Sequence, residues 1–387
     1  MLRCALVVGI AGWLGAQAPA PTPTVPTQPT PQSPSAAPTP RAQAEQFVRE
    51  LAEPGKQNAA VKGLVALGDA AVPALHKALT DRRSDVLQWA LFACSGLQGE
   101  SASLRAPVER LLASKDLGVA LMARRAWPAV DGRSGLLLTL GSGDIVLVTH
   151  DAEKVLCTLQ QSFHTELLPN GNLLVASHSL RSVREVGSDG SELWAQGDIV
   201  AAVDCERLPG GSTLLCSYTG RRVSELGPNG DSVWSTETNG MPFDADRLAN
   251  GNTLITQYDT GGVIEVDRNG KTVWSFDGTN LTSAARQLDG STLVTNMDTG
   301  HVTLVEPDGK SPRTWRCHQP MQAELLPDGH LVVNERQAVC ILDADGKDLW
   351  RLERANILCM QLLGAGPLRA NKAPVSESRP TDASPKK

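Results

Sequence analysis

The sequence predicts an α+β protein with two modules: a short helical solenoid, followed by a six-bladed β-propeller that its own C-terminal strand closes. Two observations predict the propeller. A unit of about 40 residues recurs along the second half of the chain. The segments left over on either side of the repeats together make one more unit. A helical spacing of apolar residues upstream of the repeats predicts the solenoid.

Residues 241–277, MPFDADRLANGNTLITQYDTGGVIEVDRNGKTVWSFD, are the clearest copy of the repeated unit. This copy contains four strand-like runs joined by three turns rich in Gly, Asn and Asp. A turn glycine recurs at spacings of 40, 40, 39 and 39 residues, at Gly171, Gly211, Gly251, Gly290 and Gly329. A tryptophan of the last strand recurs at Trp194, Trp234, Trp274, Trp315 and Trp350. Four-stranded units of this length are typical of propeller blades, which bury both faces by stacking into a ring.

The two ends of the repeat region predict how the ring closes. Residues 136–140, 145–149 and 155–159 are strand-like and match strands two, three and four of a blade that lacks its first strand. Residues 357–363, ILCMQLL, match a first strand that has no blade of its own. We therefore expect a propeller over residues 135–363 in which the last strand completes the first blade.

The two ends of the chain are not expected to belong to the folded modules. Residues 1–18 carry one arginine and an apolar run, which predicts a signal peptide and hence a periplasmic or secreted protein. Residues 19–40 are rich in Pro and Thr and predict a linker, and the polar residues 364–387 predict a disordered tail. No membrane span is expected in the mature chain. A net charge of −6 argues against a nucleic-acid partner.

Residues 41–130 carry apolar side chains at helical spacing. The segments LVALGDAAVPALHKAL (64–79) and SDVLQWALFACSGL (84–97) resemble HEAT-type repeats of the short, bilin-lyase-like kind. That resemblance implies a protein-binding solenoid without catalysis of its own. A small helical cap packed on the propeller is an equally open alternative.

The propeller repeats carry a resemblance of their own. DRNGKTVW (267–274) and DADGKDLW (343–350) resemble the D-x-x-G-K-x-x-W signature of PQQ-like propeller repeats, in which the tryptophan packs between blades. ELLPNGNLL (166–174) and RLANGNTLI (247–255) are similar to repeats of arylsulfotransferase-like propellers, which have six blades. The resemblance implies a fold more than an activity.

No bound cofactor is expected. Quinoprotein dehydrogenases that resemble these repeats use eight blades and a disulfide of adjacent cysteines, and this chain has no Cys-Cys pair. Bound PQQ is therefore not expected. The acidic turn Asp267–Gly270 lacks the ligand series of a calcium loop and is interpreted as an ordinary turn, with a structural calcium ion as the open alternative.

The first strand of each blade lines the axis of a propeller, so its residues are candidates for a site. Aligned on the Leu before the turn, the residues four positions earlier are His164, Asp204, Asp244, Ala284, Gln322 and Cys359. The residues two positions earlier are Glu166, Glu206, Asp246, Arg286, Glu324 and Gln361. Residues two apart on a strand share a face, so two largely acidic layers are expected near the axis.

The end of the second strand adds polar groups at the same mouth of the channel. His178, Tyr218 and Tyr258 occupy equivalent positions, and Arg181 and Arg221 follow in the loops. Together with His164, Asp204 and Asp244 they predict a rim that binds a small polar ligand. The alternative is that repeat duplication copied these residues without any binding role.

Two functions remain open from the sequence. The first is an exported, non-catalytic binding or scaffold protein with a protein partner or a small polar ligand. The second is an enzyme at the channel mouth, such as an arylsulfotransferase-like transferase with His164 as nucleophile or base. The carboxylates of Asp204 and Asp244 disfavour an anionic substrate. No H-E-x-x-H, G-x-S-x-G or Walker motif occurs.

Cysteine positions suggest one candidate disulfide. Cys205 and Cys216 flank a turn and are expected to face each other across the hairpin. The alternative is that both are buried free thiols.

Overall fold

The computed structural model describes residues 38–97, 102–149 and 152–364. The expected signal peptide, all but the last three residues of the linker, and the tail after Gly364 lie outside these residues. The described residues form six α-helices: α1 Pro40–Glu50, α2 Gln57–Leu67, α3 Val72–Ala78, α4 Ser84–Ser95, α5 Arg105–Leu112 and α6 Leu117–Val130. Thr39 caps α1 by accepting a hydrogen bond from the amide of Ala42, so this helix begins within the segment predicted as linker.

The helices share one apolar core. Leu51, Leu64, Leu75, Leu91 and Leu104 are fully buried in it. The run Gln57–Ala78 is long and apolar enough to cross a membrane by length and composition alone. A 3₁₀ turn divides this run, and its leucines pack in the helical core, as expected for a helix pair of a folded module.

The remaining described residues form 24 strands in six antiparallel four-stranded sheets. The strands of the first three sheets are β1 Gly135–Leu140, β2 Asp144–Val148, β3 Glu153–Thr158, β4 His164–Leu167, β5 Leu173–Ser177, β6 Ser182–Val186, β7 Glu192–Gln196, β8 Ala202–Arg207, β9 Thr213–Ser217, β10 Arg222–Leu226 and β11 Ser232–Glu237. The others are β12 Pro242–Arg247, β13 Thr253–Gln257, β14 Val263–Val266, β15 Thr272–Phe276, β16 Leu281–Arg286, β17 Thr292–Asn296, β18 His301–Val305, β19 Arg313–Arg316, β20 Gln322–Leu325, β21 Leu331–Asn334, β22 Ala338–Leu342, β23 Asp348–Glu353 and β24 Ile357–Leu363.

The C-terminal strand closes the ring, as the sequence predicts. Strand order in the first sheet is β24-β1-β2-β3, and the other sheets contain four consecutive strands each. Leu138 pairs with Met360 and Thr139 with Cys359. The predicted six-bladed propeller is therefore confirmed, with blade 1 built from both ends of the repeat region and blades 2 to 6 following in chain order.

A repeated polar contact joins neighbouring blades. An arginine at the end of an inner strand donates to a glutamate of the preceding blade and lies over that blade's tryptophan. The sets are Arg207 with Glu185 and Trp194, Arg247 with Glu225 and Trp234, and Arg286 with Glu265 and Trp274. The tryptophans of the repeat thus contribute to the contact between blades as well as to their own sheets.

The helical segment packs on the end of the propeller where the glycine turns lie. Trp127 Nε1 donates to Pro169 O at 3.2 Å, and Asn58 Nδ2 donates to Asp289 Oδ2 at 2.8 Å. A side chain at Gly96 would approach Pro327 to 2.8 Å, so a glycine permits the close contact there. The helices therefore act as a cap on the propeller, while their HEAT-like type stays a prediction.

The candidate disulfide between Cys205 and Cys216 is not formed in this structure, which agrees with the alternative of two buried free thiols. Cys205 pairs with Leu215 across the hairpin, and Cys216 pairs with Asp204. Because neighbouring positions on a strand point to opposite faces, the two side chains enter different apolar clusters. Both thiols are free and buried.

Candidate functional site

The inner strands bring three of the predicted site residues together at one end of the axis. His164 Nε2 lies 3.4 Å from Asp204 Oδ1, and His164 Nδ1 lies 3.8 Å from Cys205 Sγ. His164, Asp204 and Asp244 line a cavity of about 20 Å³ with Phe163 and Phe243. A space of this size holds about one water molecule. We call it the axial pocket.

The carboxylates of the axial pocket bind the backbone of the next blade. Asp204 Oδ2 accepts a hydrogen bond from the amide of Ala245 at 3.1 Å, and Asp244 Oδ2 accepts one from Ala284 at 3.0 Å. The side chain of Gln322 makes the same contact with the amide of Met360. These side chains have a structural role, since each ties one inner strand to the next around the ring.

Burial shifts the titration of these groups. It raises the pKa of Asp244 to about 8, and the nearby Asp204 carboxylate adds to the increase. Burial alone would lower the pKa of His164, but the negative charges that Cys359 and Asp204 can carry raise it well above its usual value. Burial also raises the pKa of Asp204, and the charge that His164 can carry acts against that increase.

The predicted rim residues lie around an aromatic cluster. Tyr218 and Tyr258 lie 5.9 and 5.7 Å from Phe243, measured between ring centroids. The exposed His178 ring lies 6.4 Å from Phe163. Neither tyrosine is among the described residues that line the axial pocket. The predicted rim thus divides into a buried polar pocket and an aromatic cluster at the mouth.

The two predicted rim arginines share a backbone conformation. Both adopt left-handed backbone conformations in exposed loops, with φ of 54° at Arg181 and 48° at Arg221. Arg221 donates to Asp259 Oδ2 at 2.9 Å and also to the carbonyl of Asn239. Its guanidinium is therefore already bound to acceptors of its own chain.

A much larger cavity lies at the other end of the axis, between the helical cap and the inner strands. Its volume is about 600 Å³. Helix α6 contributes Leu121, Met122, Arg124, Arg125 and Trp127 to its wall. The propeller contributes charged and amide side chains, among them Glu166, Glu206, Asp246, Arg286, Glu324 and Gln361. We call it the inter-module cavity.

Helix α6 neutralises part of the acidic wall of this cavity. Arg124 lies 3.3 Å from Glu166 Oε1, and Arg125 lies 3.3 Å from Glu324 Oε2. Arg125 also donates to the carbonyl of Leu325 at 3.0 Å. These contacts join the cap to the propeller at two of the carboxylates of the axial layer. The sequence did not predict them. An adjacent pair of arginines within an otherwise apolar helix was the available signal.

Two other carboxylates of the wall form no ion pair at contact distance within the described ranges. Glu206 accepts a hydrogen bond from the amide of Arg247 at 3.1 Å. The side chain of Asp246 makes no hydrogen bond or ion pair with any described residue. Burial raises the pKa of Glu206 well above its usual range, and Asp246 reinforces the shift. Burial likewise raises the pKa of Asp246, with Asp244 as the next cause.

One blade departs from the predicted alignment of the axial layers. In blade 5, Ser283 pairs with Thr295 as Asp244 pairs with Thr256 in blade 4. Ser283 and Ala285, rather than Ala284 and Arg286, therefore occupy the axial positions of blade 5. Arg286 instead joins Arg207 and Arg247 in the contacts between blades. The layer that contains Glu166, Glu206 and Asp246 therefore carries one positive charge fewer than predicted, because Ala285 takes the place expected for Arg286.

No group of three or more His, Cys, Asp or Glu side chains is arranged to hold a metal ion in residues 38–97, 102–149 and 152–364. In the turn that was weighed as a calcium loop, Asp267 Oδ1 accepts hydrogen bonds from the amides of Asn269 and Lys271. This carboxylate therefore stabilises its own turn.

Comparison with known families agrees with the fold. The profile of a family described as outer membrane protein assembly factor BamB matches residues 176–311 and, in a second overlapping placement, residues 259–367. Both placements lie in the propeller or within three residues of Gly364. This part of the chain therefore carries PQQ-like repeats. No curated protein matches the sequence significantly.

Solved structures with a similar fold share little sequence with this chain. A protein of unknown function from Bacteroides caccae has 19% identity, covers 59% of this chain and 98% of its own, and gives a TM-score of 0.50. Virginiamycin B lyase from Staphylococcus aureus has 11% identity, with 57% and 83% covered and a TM-score of 0.44. A streptogramin B lyase has 11% identity, with 51% and 69% covered and a TM-score of 0.42. At these identities the similarity concerns the fold alone.

Proposed function

Because its propeller carries PQQ-like repeats with no assembled reaction centre among the described residues, we propose that this chain is an exported, non-catalytic binding protein. Its ligand site is the inter-module cavity. The observation that carries this proposal is an open cavity of about 600 Å³ lined by charged and apolar side chains of both modules. Small-molecule sites typically occupy roughly 300–1,000 Å³ and often lie between domains. The signal-like residues 1–18 support export.

The opposite end of the axis supports binding over catalysis. The cavity beside His164 measures about 20 Å³, too small for an organic substrate. Asp204 and Asp244 are bound to backbone amides of the neighbouring blades. One oxygen of each carboxylate is therefore used in a structural contact between blades.

An arylsulfotransferase-like transferase is the alternative activity, and the contact between His164 and Asp204 is the observation in its favour. Such an enzyme needs room for an aryl sulfate and cationic groups that hold it. Turnover of an aryl sulfate by the purified chain, lost in His164→Ala, would establish this alternative. We expect no turnover above that of buffer.

A protein partner is the second candidate function. The outer strands expose one large apolar side chain each in five blades: Val155, Leu193, Val233, Val273 and Leu349, with exposed fractions between 47% and 57%. Edge strands with exposed apolar residues are suited to contacts with other chains. The matching family is described as an assembly factor, which fits such a role. Loss of a co-purifying protein in Val233→Asp and Val273→Asp would support it.

The cavity proposal is tested by blocking the cavity. Leu121 of α6 lines it and is partly exposed to it, so Leu121→Trp should fill part of the space. The probes are nine compounds: the amine, alcohol and carboxylic acid of butyl, cyclohexyl and benzyl frames. A ligand at ten times its Kd stabilises the folded state by about 1.4 kcal/mol, which thermal unfolding detects.

We expect at least one of the nine compounds to stabilise the unaltered chain and to lose its effect in Leu121→Trp. Val233→Trp on the outer strand β11 is the matched control, because it adds the same side chain far from the cavity. It should leave binding unchanged. If none of the compounds binds, or if both tryptophan variants bind equally well, the cavity is not the site.

A further inference from the structure

We propose that the inter-module cavity selects a small organic cation, a protonated amine on an apolar frame, and that Asp246 is the residue that binds its ammonium group. This inference rests on the proposed function, since it assigns the chemistry of the same cavity. The supporting observations are a departure from the ring pattern at one position, the balance of charge on the wall, and the apolar surface of α6.

The side chain of Asp246 lacks a hydrogen bond that the equivalent side chains of other blades make. Glu166 accepts a hydrogen bond from the amide of Arg207 at 2.8 Å, and Glu206 accepts one from Arg247 at 3.1 Å. Gln361 makes the same contact with the amide of Leu167. Asp246 is one methylene shorter than glutamate and makes no such bond. Its carboxylate thus has no structural partner at a position where three others have one.

The inner strand of the next blade leaves space beside the Asp246 carboxylate. Blade 5 places Ala285 where its neighbours carry acidic side chains, and Ala285 lines the cavity together with Asp246. A methyl group cannot fill the volume of a glutamate. The cavity therefore extends to the one carboxylate of the ring that lacks a partner.

The balance of charge favours a cation over an anion. Arg124 and Arg125 are the cations that α6 offers, and both already contact carboxylates of the propeller. Arg286 is bound to Glu265 of the preceding blade at 2.9 Å. Asp246 and Glu206 form no ion pair at contact distance with a described residue. Burial raises the pKa of both groups because their charged forms are costly to hold away from bulk water, and a bound ammonium group would favour those charged forms.

The opposite wall suits an apolar frame. Leu121, Met122 and Trp127 of α6 line the cavity, and Leu248 and Leu288 of the propeller join them. Apolar surface that a ligand covers contributes roughly 25 cal/mol per Å² to binding. A ligand with an ammonium group at one end and a hydrocarbon body would match both walls.

The nine compounds defined above separate the charge classes on matched frames. Isothermal titration at pH 7.5 compares the amine, alcohol and carboxylate of each frame, with the amines protonated and the acids ionised. We expect the amines to bind at least ten-fold more tightly than the alcohols and carboxylates of the same frame. Asp246→Asn should weaken amine binding at least ten-fold. Asp298→Asn at the other end of the axis is the control and should bind as the unaltered chain does.

A second variant keeps the test informative if Asp246→Asn does not fold. Ala285→Lys places a tethered ammonium beside Asp246 and should abolish amine binding while the chain keeps its thermal unfolding midpoint. Equal binding of alcohols or carboxylates, or full amine binding in both Asp246→Asn and Ala285→Lys, would overturn the cation assignment and leave the cavity proposal intact. Failure of every compound to bind would instead overturn the proposed function.

Discussion

The guanidinium carbon of Arg247 lies 5.0 Å from the ring centroid of Trp234, although the two residues belong to neighbouring blades. The same guanidinium donates to Glu225 Oε2 at 2.8 Å and to Gly251 O at 2.9 Å. Arg247 therefore satisfies a carboxylate, a turn carbonyl and an aromatic face at once. The contact between these two blades is therefore polar as well as aromatic.

Arg247→Met should destabilise the propeller. The Arg247 side chain is 2% exposed, and its removal leaves Glu225 with only the partly exposed Arg268 as a cation. Breaking a buried ion pair costs about 3–5 kcal/mol, and Arg268 should reduce this to about 2–3 kcal/mol. Urea unfolding measures the change. Arg222→Ala removes an exposed ion pair with Glu237 and should cost about 0.5 kcal/mol. Equal costs for the two variants would mean that the buried contact between blades stabilises the propeller no more than an exposed ion pair does.

Removal of the C-terminal strand should unfold the propeller. Ile357, Met360 and Leu363 are buried in strand β24. Exposure of three such side chains costs roughly 5–9 kcal/mol, comparable with the total stability of many domains. We expect a chain ending at Asn356 to lose its cooperative thermal transition, while a chain ending at Gly364 keeps it. A cooperative transition in the shorter chain would show that β1 does not need its partner.

Stability should fall as the pH rises from about 4 to 8. Burial raises the pKa of Asp244 to about 8, so the folded chain keeps a proton that the unfolded chain has already released. The raised pKa of His164 acts in the same direction above its usual value, because the folded state binds that proton more tightly as well. Each such group lowers the free energy of unfolding by at most about 1.4 kcal/mol per pH unit.

Asp244→Asn isolates the contribution of one carboxyl group. The amide oxygen can still accept the hydrogen bond from Ala284, while the titration is removed. Urea unfolding between pH 5 and pH 8.5 should give a flatter dependence on pH than in the unaltered chain. Asp298→Asn at the channel mouth serves as control and should keep the original slope. An unchanged slope in Asp244→Asn would contradict the assignment.

Cys205 and Cys216 should remain reduced and unreactive in the folded chain. Both are buried, and burial raises the pKa of Cys205 to about 11, so little thiolate forms at neutral pH. Iodoacetamide at pH 8 should modify the partly exposed Cys157 first. Peptide mapping with and without reductant identifies the products. A peptide pair joined through Cys205 and Cys216 would contradict the strand register.

The sequence was sufficient to predict the ring because local chemistry dictates the repeat. A glycine such as Gly251 adopts a left-handed turn, with φ of 86°, and therefore returns once in each blade. Counting strands at the two ends then predicted the role of residues 357–363. The meeting of His164 with Asp204 followed from the same alignment, since equivalent positions of neighbouring inner strands surround the axis.

The alignment failed in blade 5 because a tertiary contact determines the role of Leu288. This leucine packs against the core of the helical module rather than marking the position that leucines such as Leu248 mark in other turns. The sequence left a disulfide and two free thiols equally open at Cys205 and Cys216 for a related reason. A register shifted by one residue exchanges the two faces of a strand, and spacing along the turn does not reveal that shift.

The inter-module cavity could not be predicted from local patterns. Its two walls come from segments far apart in the chain: Arg124 contacts Glu166 at a separation of 42 residues, and Arg125 contacts Leu325 at 200. No periodic pattern in the sequence marks either contact. Only the docking of α6 on the glycine turns brings the arginines to the carboxylates.

Strand β24 is the last of the described strands to be synthesised, and it belongs to the first blade. While the ribosome is still translating the later blades, strand β1 therefore presents an unpaired inner edge to its surroundings. Each newly emerged blade can form its own hairpins, but the circle is completed only after translation has passed residue 363. Closure of the ring is thus a late event, and strand pairing with other chains competes with it until residue 363 has emerged.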